Sequence, residues 1–191
     1  MHDNRAFHFP RKLRESRSAQ REGGVETFLL AAHGWVPNNA RLPVVVYRRA
    51  LAPGAHDLAR AFNERFEANG WPVQWLDGVF DYHHFHSTAH EVLGVFAGTA
   101  SVRLGGEHGI TRKINAGDVV ILPAGVAHKN LGASSDFGVV GAYPAGQEWD
   151  MNYGQADELP IAKQNIARVA LPSGDPVYGP GGPLLERWTR G

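Results

Sequence analysis

Between Trp71 and Tyr143 the chain is written in short apolar runs cut by turn residues. VQWL, VFDYHHFH, EVLGVF, TASVRL, ITRKI, VVIL and FGVVGAY each have the length of a strand. DG, STA, AG, GGEHG, NAGD, PAG and GASSD stand between them as turns. Strand-length runs at this spacing predict an all-β barrel or sandwich. Upstream, ETFLLAA and LPVVVYRRA read as two further strands around the turn-rich VPNNAR. The period changes over DLARAFNERFEANG, where Leu58, Phe62 and Phe66 recur every four residues. Asp57 can cap the start of that helix and Asn69-Gly70 can stop it in a left-handed turn. Its apolar stripe is expected to dock on a sheet. From Pro144 onward the chain is rich in Pro and Gly and reads as ordered loops draped over the barrel.

The first 24 residues, MHDNRAFHFPRKLRESRSAQREGG, are polar and locally basic with no sustained period. They are expected to form a flexible extension, with residues 25–191 as a single domain. A chain of 191 residues can bury a real core. Lys+Arg and Asp+Glu are equal at 19 each, so no net positive field is available to hold nucleic acid or an anionic membrane. With no cysteine, disulfides, thiolate metal sites and a cysteine nucleophile are excluded. No apolar run is long enough to span a bilayer, and the N-terminus lacks the apolar block of a signal peptide. A cytoplasmic protein is expected.

One segment, Tyr82–Glu91, holds four of the ten histidines. Side chains alternate along a strand, so His84 and His86 share a face with Tyr82, while His83 and Phe85 point the other way. After the turn STA the chain should reverse and bring Glu91 beside the two imidazoles. Two imidazoles and a carboxylate on one concave face suit a divalent transition metal. His128 is a fourth candidate, placed just after the tight turn PAGVA that follows the apolar run VVIL.

The same residues carry a family resemblance. Gly78, His84, His86, Glu91 and Gly98 have the spacing of the first cupin motif. Gly117, Pro123, Gly125 and His128 are similar to the second. Asn130 comes too early to match that motif's asparagine and takes no role from it. Over its whole length the chain resembles a small subgroup of bacterial single-domain cupins that has no settled biochemical function. The resemblance implies a double-stranded β-helix, the cupin jelly-roll barrel, with one N-terminal helix and C-terminal loops packed on it. It also implies one divalent ion (Fe, Mn, Ni or Zn) held by His84, His86, Glu91 and His128.

Other residues have two readings each. Tyr82 is either a catalytic hydroxyl facing substrate or one more core aromatic. Trp71 and Trp75 either line a pocket or seal the core, and Phe137 and Tyr143 default to core. His83 and His90 read as packing or hydrogen-bonding residues off the metal face, at a dimer contact if one exists. An inward-facing Arg103, Arg112, Lys113 or Lys129 would mark an anionic substrate. Four protein ligands on an octahedral ion leave two open positions for water, dioxygen or a bidentate substrate. The expected function is a metal-dependent enzyme on a small organic molecule, using dioxygenase-like or isomerase-like Lewis-acid chemistry. The alternative is a non-catalytic metal or small-ligand binding module. An open pocket with polar walls would favour catalysis, and a barrel plugged by aromatics a structural role. Exposed strand edges predict a homodimer.

Overall fold

Alternation along the strands decides how the sheets are covered. The computed structural model describes residues 24–52 and 57–189. Its strands are β1 (Val25–Phe28), β2 (Val44–Tyr47), β3 (Val73–Asp77), β4 (Glu91–Ala97), β5 (Thr99–Leu104), β6 (Ile110–Asn115), β7 (Val119–Leu122), β8 (His128–Ala133) and β9 (Gly138–Ala142). They form two antiparallel sheets, one of six strands in the order β1-β2-β7-β4-β9-β3 and one of three in the order β6-β5-β8. Val44, Val46, Leu93, Val95, Val120 and Leu122 face the small sheet and meet Ala100, Val102, Leu104 and Ile114 inside the barrel. Val45, Tyr47, Val92, Val119 and Ile121 face the opposite way into a second core. The central strands of the large sheet are therefore buried on both faces, which is why VVVY and VVIL are apolar at every position. Glu91 shares the parity of Leu93 and Val95, so it opens into the barrel.

Helix α1 (Leu58–Ala68) closes the outer face. Asp57 caps it by accepting from the Arg60 N–H, and Gly70 follows it at φ +79°. Phe62 and Phe66 are fully buried against the sheet. Gly94 of β4 makes the approach possible, since a Cβ there would lie 2.8 Å from the Phe62 ring.

Three sequence expectations change. VFDYHHFH is not one strand: His84 bridges His128 on one side, while Phe85 bridges Asn152 on the other. A segment whose backbone partners switch edges from residue to residue cannot build a ladder. HKNLGA, whose Gly132 and Ala133 belong to the expected turn GASSD, pairs with β5 as β8. The C-terminal region, expected as loops, contains helices α2 (Leu159–Ile166) and α3 (Pro183–Thr189). Helix α2 buries only Ala162, so no apolar stripe announces it. The extension through residue 23 lies outside the described residues.

The C-terminal segment is knotted onto the large sheet by Asp175, whose carboxylate is fully buried. It accepts from the Tyr47 hydroxyl and from the backbone N–H groups of Val177, Tyr178 and Leu184. Trp188 of α3 donates its indole N–H to the Pro43 carbonyl at 2.9 Å.

Candidate metal centre

Three imidazoles and one carboxylate meet at one end of the barrel. His84 and His86 arrive on the irregular segment after β3, Glu91 opens β4, and His128 opens β8. The turn before His128 runs through Gly125 at φ +93°, where a Cβ would collide with Ile166 and the Asn38 carbonyl. All four side chains are buried, at 5% exposure or less. One ring nitrogen from each of His84, His86 and His128 lies within 4.8 Å of the other two. Glu91 touches two of the three: Oε1 is 3.4 Å from His86 Nε2, and Oε2 is 3.2 Å from His128 Nε2.

Backbone carbonyls orient the rings. His84 Nδ1 lies 3.2 Å from the Tyr82 carbonyl, His86 Nδ1 2.5 Å from that of Asp150, and His128 Nδ1 3.3 Å from that of Val126. A carbonyl can only accept, so each Nδ1 carries a proton and each Nε2 is the free donor atom. Glu91 Oε2 is buried and has no hydrogen-bond partner among the described residues, although His128 Nε2 is close. A carboxylate oxygen facing an imidazole lone pair is unfavourable unless a cation sits between them. The donor set is thus compatible with metal binding.

The protonation pattern agrees. Burial pushes the Glu91 carboxyl up, but the His86 and His128 imidazoles outweigh it and hold it well below its ordinary value. Burial pulls His86 down, yet the Glu91 carboxylate and the Asp150 carbonyl raise it on balance. His84 is pushed down to about 3 by burial and then by His128. These directions favour a charged carboxylate beside a group that attracts positive charge, the balance a bound cation would also satisfy.

The site floors a cavity of about 240 Å³. Its walls include Trp75, Val79, Phe80, Leu93, Trp149 and Met151, and Asp77 stands among the lining residues. Trp75 thus lines the pocket, while Trp71 is core. Tyr143, expected as core, is a site residue: its hydroxyl donates to Glu91 Oε1 at 2.6 Å and accepts from the Trp75 indole N–H at 3.0 Å. Asp150 is the other residue that the sequence concealed. Besides holding His86 through its backbone, its carboxylate accepts from Ser87, from the Thr88 N–H and from Asn152.

The remaining candidates sit elsewhere. Tyr82 is 41% exposed at the rim, stacked on Phe80, with its ring centre 5.8 Å from that of His84. His83 faces Glu107, with Nε2 3.0 Å from the carboxylate. His90 is 1% exposed, accepts from the Ala124 N–H and packs on Trp188, so it is internal rather than at a surface contact. None of Arg103, Arg112, Lys113 and Lys129 lines the cavity. No helix among the described residues is long and apolar enough to cross a membrane.

A family model described as Cupin matches residues 82–142, across the site. The chain is 41% identical over 169 residues to the uncharacterized protein YjlB of Bacillus subtilis (strain 168), spanning 88% of this chain and 99% of that one. Among solved structures, a DUF861 family protein from Thermotoga maritima is similar over 41% of this chain and 83% of its own, at 22% identity and TM-score 0.30. An uncharacterized conserved protein with a double-stranded β-helix domain from Klebsiella pneumoniae is similar over 74% of this chain and 85% of its own, at 20% identity and TM-score 0.31. With its motif residues assembled at one end of an antiparallel barrel and a relative matched almost end to end, this chain belongs to the cupin family.

Proposed function

We propose that this chain is a metal-dependent enzyme acting on a small organic molecule, with His84, His86, Glu91 and His128 as the ligands of one divalent transition metal. The observation that carries the reading is the clustering of three Nδ1-anchored imidazoles, two of them against a carboxylate with a bare oxygen, at the floor of an open cavity. When bound, such an ion would supply Lewis-acid polarisation of a substrate oxygen or, as iron, redox chemistry with dioxygen. The protein's own part is positioning. Tyr143 fixes the Glu91 carboxylate, and the Asp150 strap fixes His86. Phe80 and Trp149 shield the mouth from water. Tyr82, at the rim, offers a hydroxyl to a substrate that protrudes from the cavity.

The donors are nitrogen and oxygen only, which suits Fe, Mn, Ni or Zn alike. Elemental analysis of tag-free protein tests the proposal: about one of these metals per chain is expected, and no metal after reconstitution would overturn it.

One observation favours a non-catalytic binding module. Tyr143, the hydroxyl nearest the site, is already committed to Glu91, and the cavity walls are mostly apolar. Turnover assays across oxygen-uptake and isomerase panels separate the two readings. We further propose one folded domain over residues 25–191, a cytoplasmic location in keeping with the absence of cysteine, and a homodimer. Support for the dimer is the exposure of Leu29 and Trp35, at 62% and 54%, close to the edge strand β1. Light scattering that returns a monomer mass would remove the dimer.

A further inference from the structure

We infer that the substrate of this pocket joins a metal-binding oxygen head to an uncharged, flat, apolar body, and that phosphorylated and dicarboxylic compounds are excluded. The inference rests on the metal reading for the head and on the cavity walls for the body. Among the described residues, no Lys or Arg lines the cavity, and its carboxylates are Asp77 and Glu91. The described walls therefore offer positive charge only at the floor. A second anionic group, carried farther out on the substrate, would lose its water against Trp75, Phe80 and Leu93 and gain no cation in return. Asp77 would repel it as well.

The aromatic walls give the body its shape. Trp149 and Tyr143 lie nearly parallel, with an interplanar angle of 21° and ring centres 5.8 Å apart. Trp149 also meets the His86 ring edge-on at 5.3 Å. Phe80 closes another side, with its ring edge-on to His84 at 5.2 Å. Such walls reward a planar ring by offset and edge contacts. The volume of about 240 Å³ lies below the range of roughly 300–1,000 Å³ usual for drug-sized ligands, which limits the body to about one ring.

Three probes with one chelating head test this: acetohydroxamic acid, benzohydroxamic acid and 4-carboxybenzohydroxamic acid. Each is titrated by calorimetry into the zinc-loaded full-length protein and into the metal-free protein. Benzohydroxamic acid is expected to bind the zinc form about tenfold more tightly than either of the others. The same order, at weaker affinity, is expected in the metal-free form, where only the walls act. Equal or tighter binding of the 4-carboxy compound, or equal binding of acetohydroxamic acid, overturns the inference. So does failure of all three to bind. Failure to take up zinc, read separately by elemental analysis, overturns the metal reading, while the body preference is still decided in the metal-free arm. Trp149→Ala provides a local check, since it is expected to abolish the preference for benzohydroxamic over acetohydroxamic acid without changing metal content.

Discussion

The Tyr143 hydroxyl donates to Glu91 Oε1 at 2.6 Å, so the carboxylate oxygen left bare is Oε2, the one facing His128. The tyrosine thereby selects which oxygen is free for a cation. Tyr143→Phe unpins the carboxylate without removing a ligand. Metal affinity is expected to fall about 10–100-fold, measured by competition with a chelator, while far-ultraviolet circular dichroism stays unchanged. Undiminished affinity would mean that the imidazoles alone hold Glu91 in place.

Removal of a ligand should be more severe. His84→Ala, His86→Ala, His128→Ala and Glu91→Ala are each expected to purify with little or no metal. His83→Ala, which alters a side chain facing Glu107, should retain the wild-type content. If the His86→Ala protein carried as much metal as wild type, the ligand assignment would fall.

Acid should weaken the metal-free protein through His90. Burial holds this imidazole down at about 4, and its Nδ1 already accepts from the Ala124 N–H. An unfolded histidine titrates near 6.5. Between those values the unfolded chain binds a proton that the folded chain refuses, so stability is full above about pH 6.5 and declines toward pH 4. The expected loss is about 3 kcal/mol. His90→Gln keeps an acceptor for Ala124 and removes the titration. Urea unfolding at pH 7 and pH 4.5 should show a smaller pH dependence in that variant, and an identical dependence would acquit His90.

The Asp175 knot should be worth more than a surface contact. Asp175→Ala strands the Tyr47 hydroxyl and three backbone N–H groups in a dry environment. A loss of roughly 3–5 kcal/mol is expected from denaturant titration, since each stranded donor costs about 1–3 kcal/mol. A change below about 1 kcal/mol would show that water replaces the carboxylate readily.

Much of this molecule is written in local patterns. The α1 stripe, its Asp57 cap and the doubly apolar runs VVVY and VVIL are each determined by near neighbours, and all reappear in the structure. The parity of His84 and His86 also survives, although the segment that carries them is not a strand. What escaped notice depends on distant partners. Tyr143 becomes a site residue only because β9 lies beside β4, and the Asp150 carbonyl reaches His86 across 64 positions of sequence. Helix α2 and strand β8 were concealed for a related reason, since neither buries enough apolar surface to leave a periodic trace.

The bond between Tyr47 and Asp175 also bears on how the protein is made. It joins residues 128 positions apart, and the one between Trp188 and Pro43 spans 145. A ribosome releases the N-terminal strands long before these partners exist. Until Asp175 and Trp188 emerge, Val45 and Tyr47 present an apolar sheet face without the segment that covers it. Completion of the outer core thus waits for partners made more than a hundred residues later, a late and non-local step of the kind that makes β-rich folding slow. A transcript truncated before codon 175 would yield a chain with the four candidate ligands but an uncovered back, which is the form that quality-control proteases and aggregation would remove first.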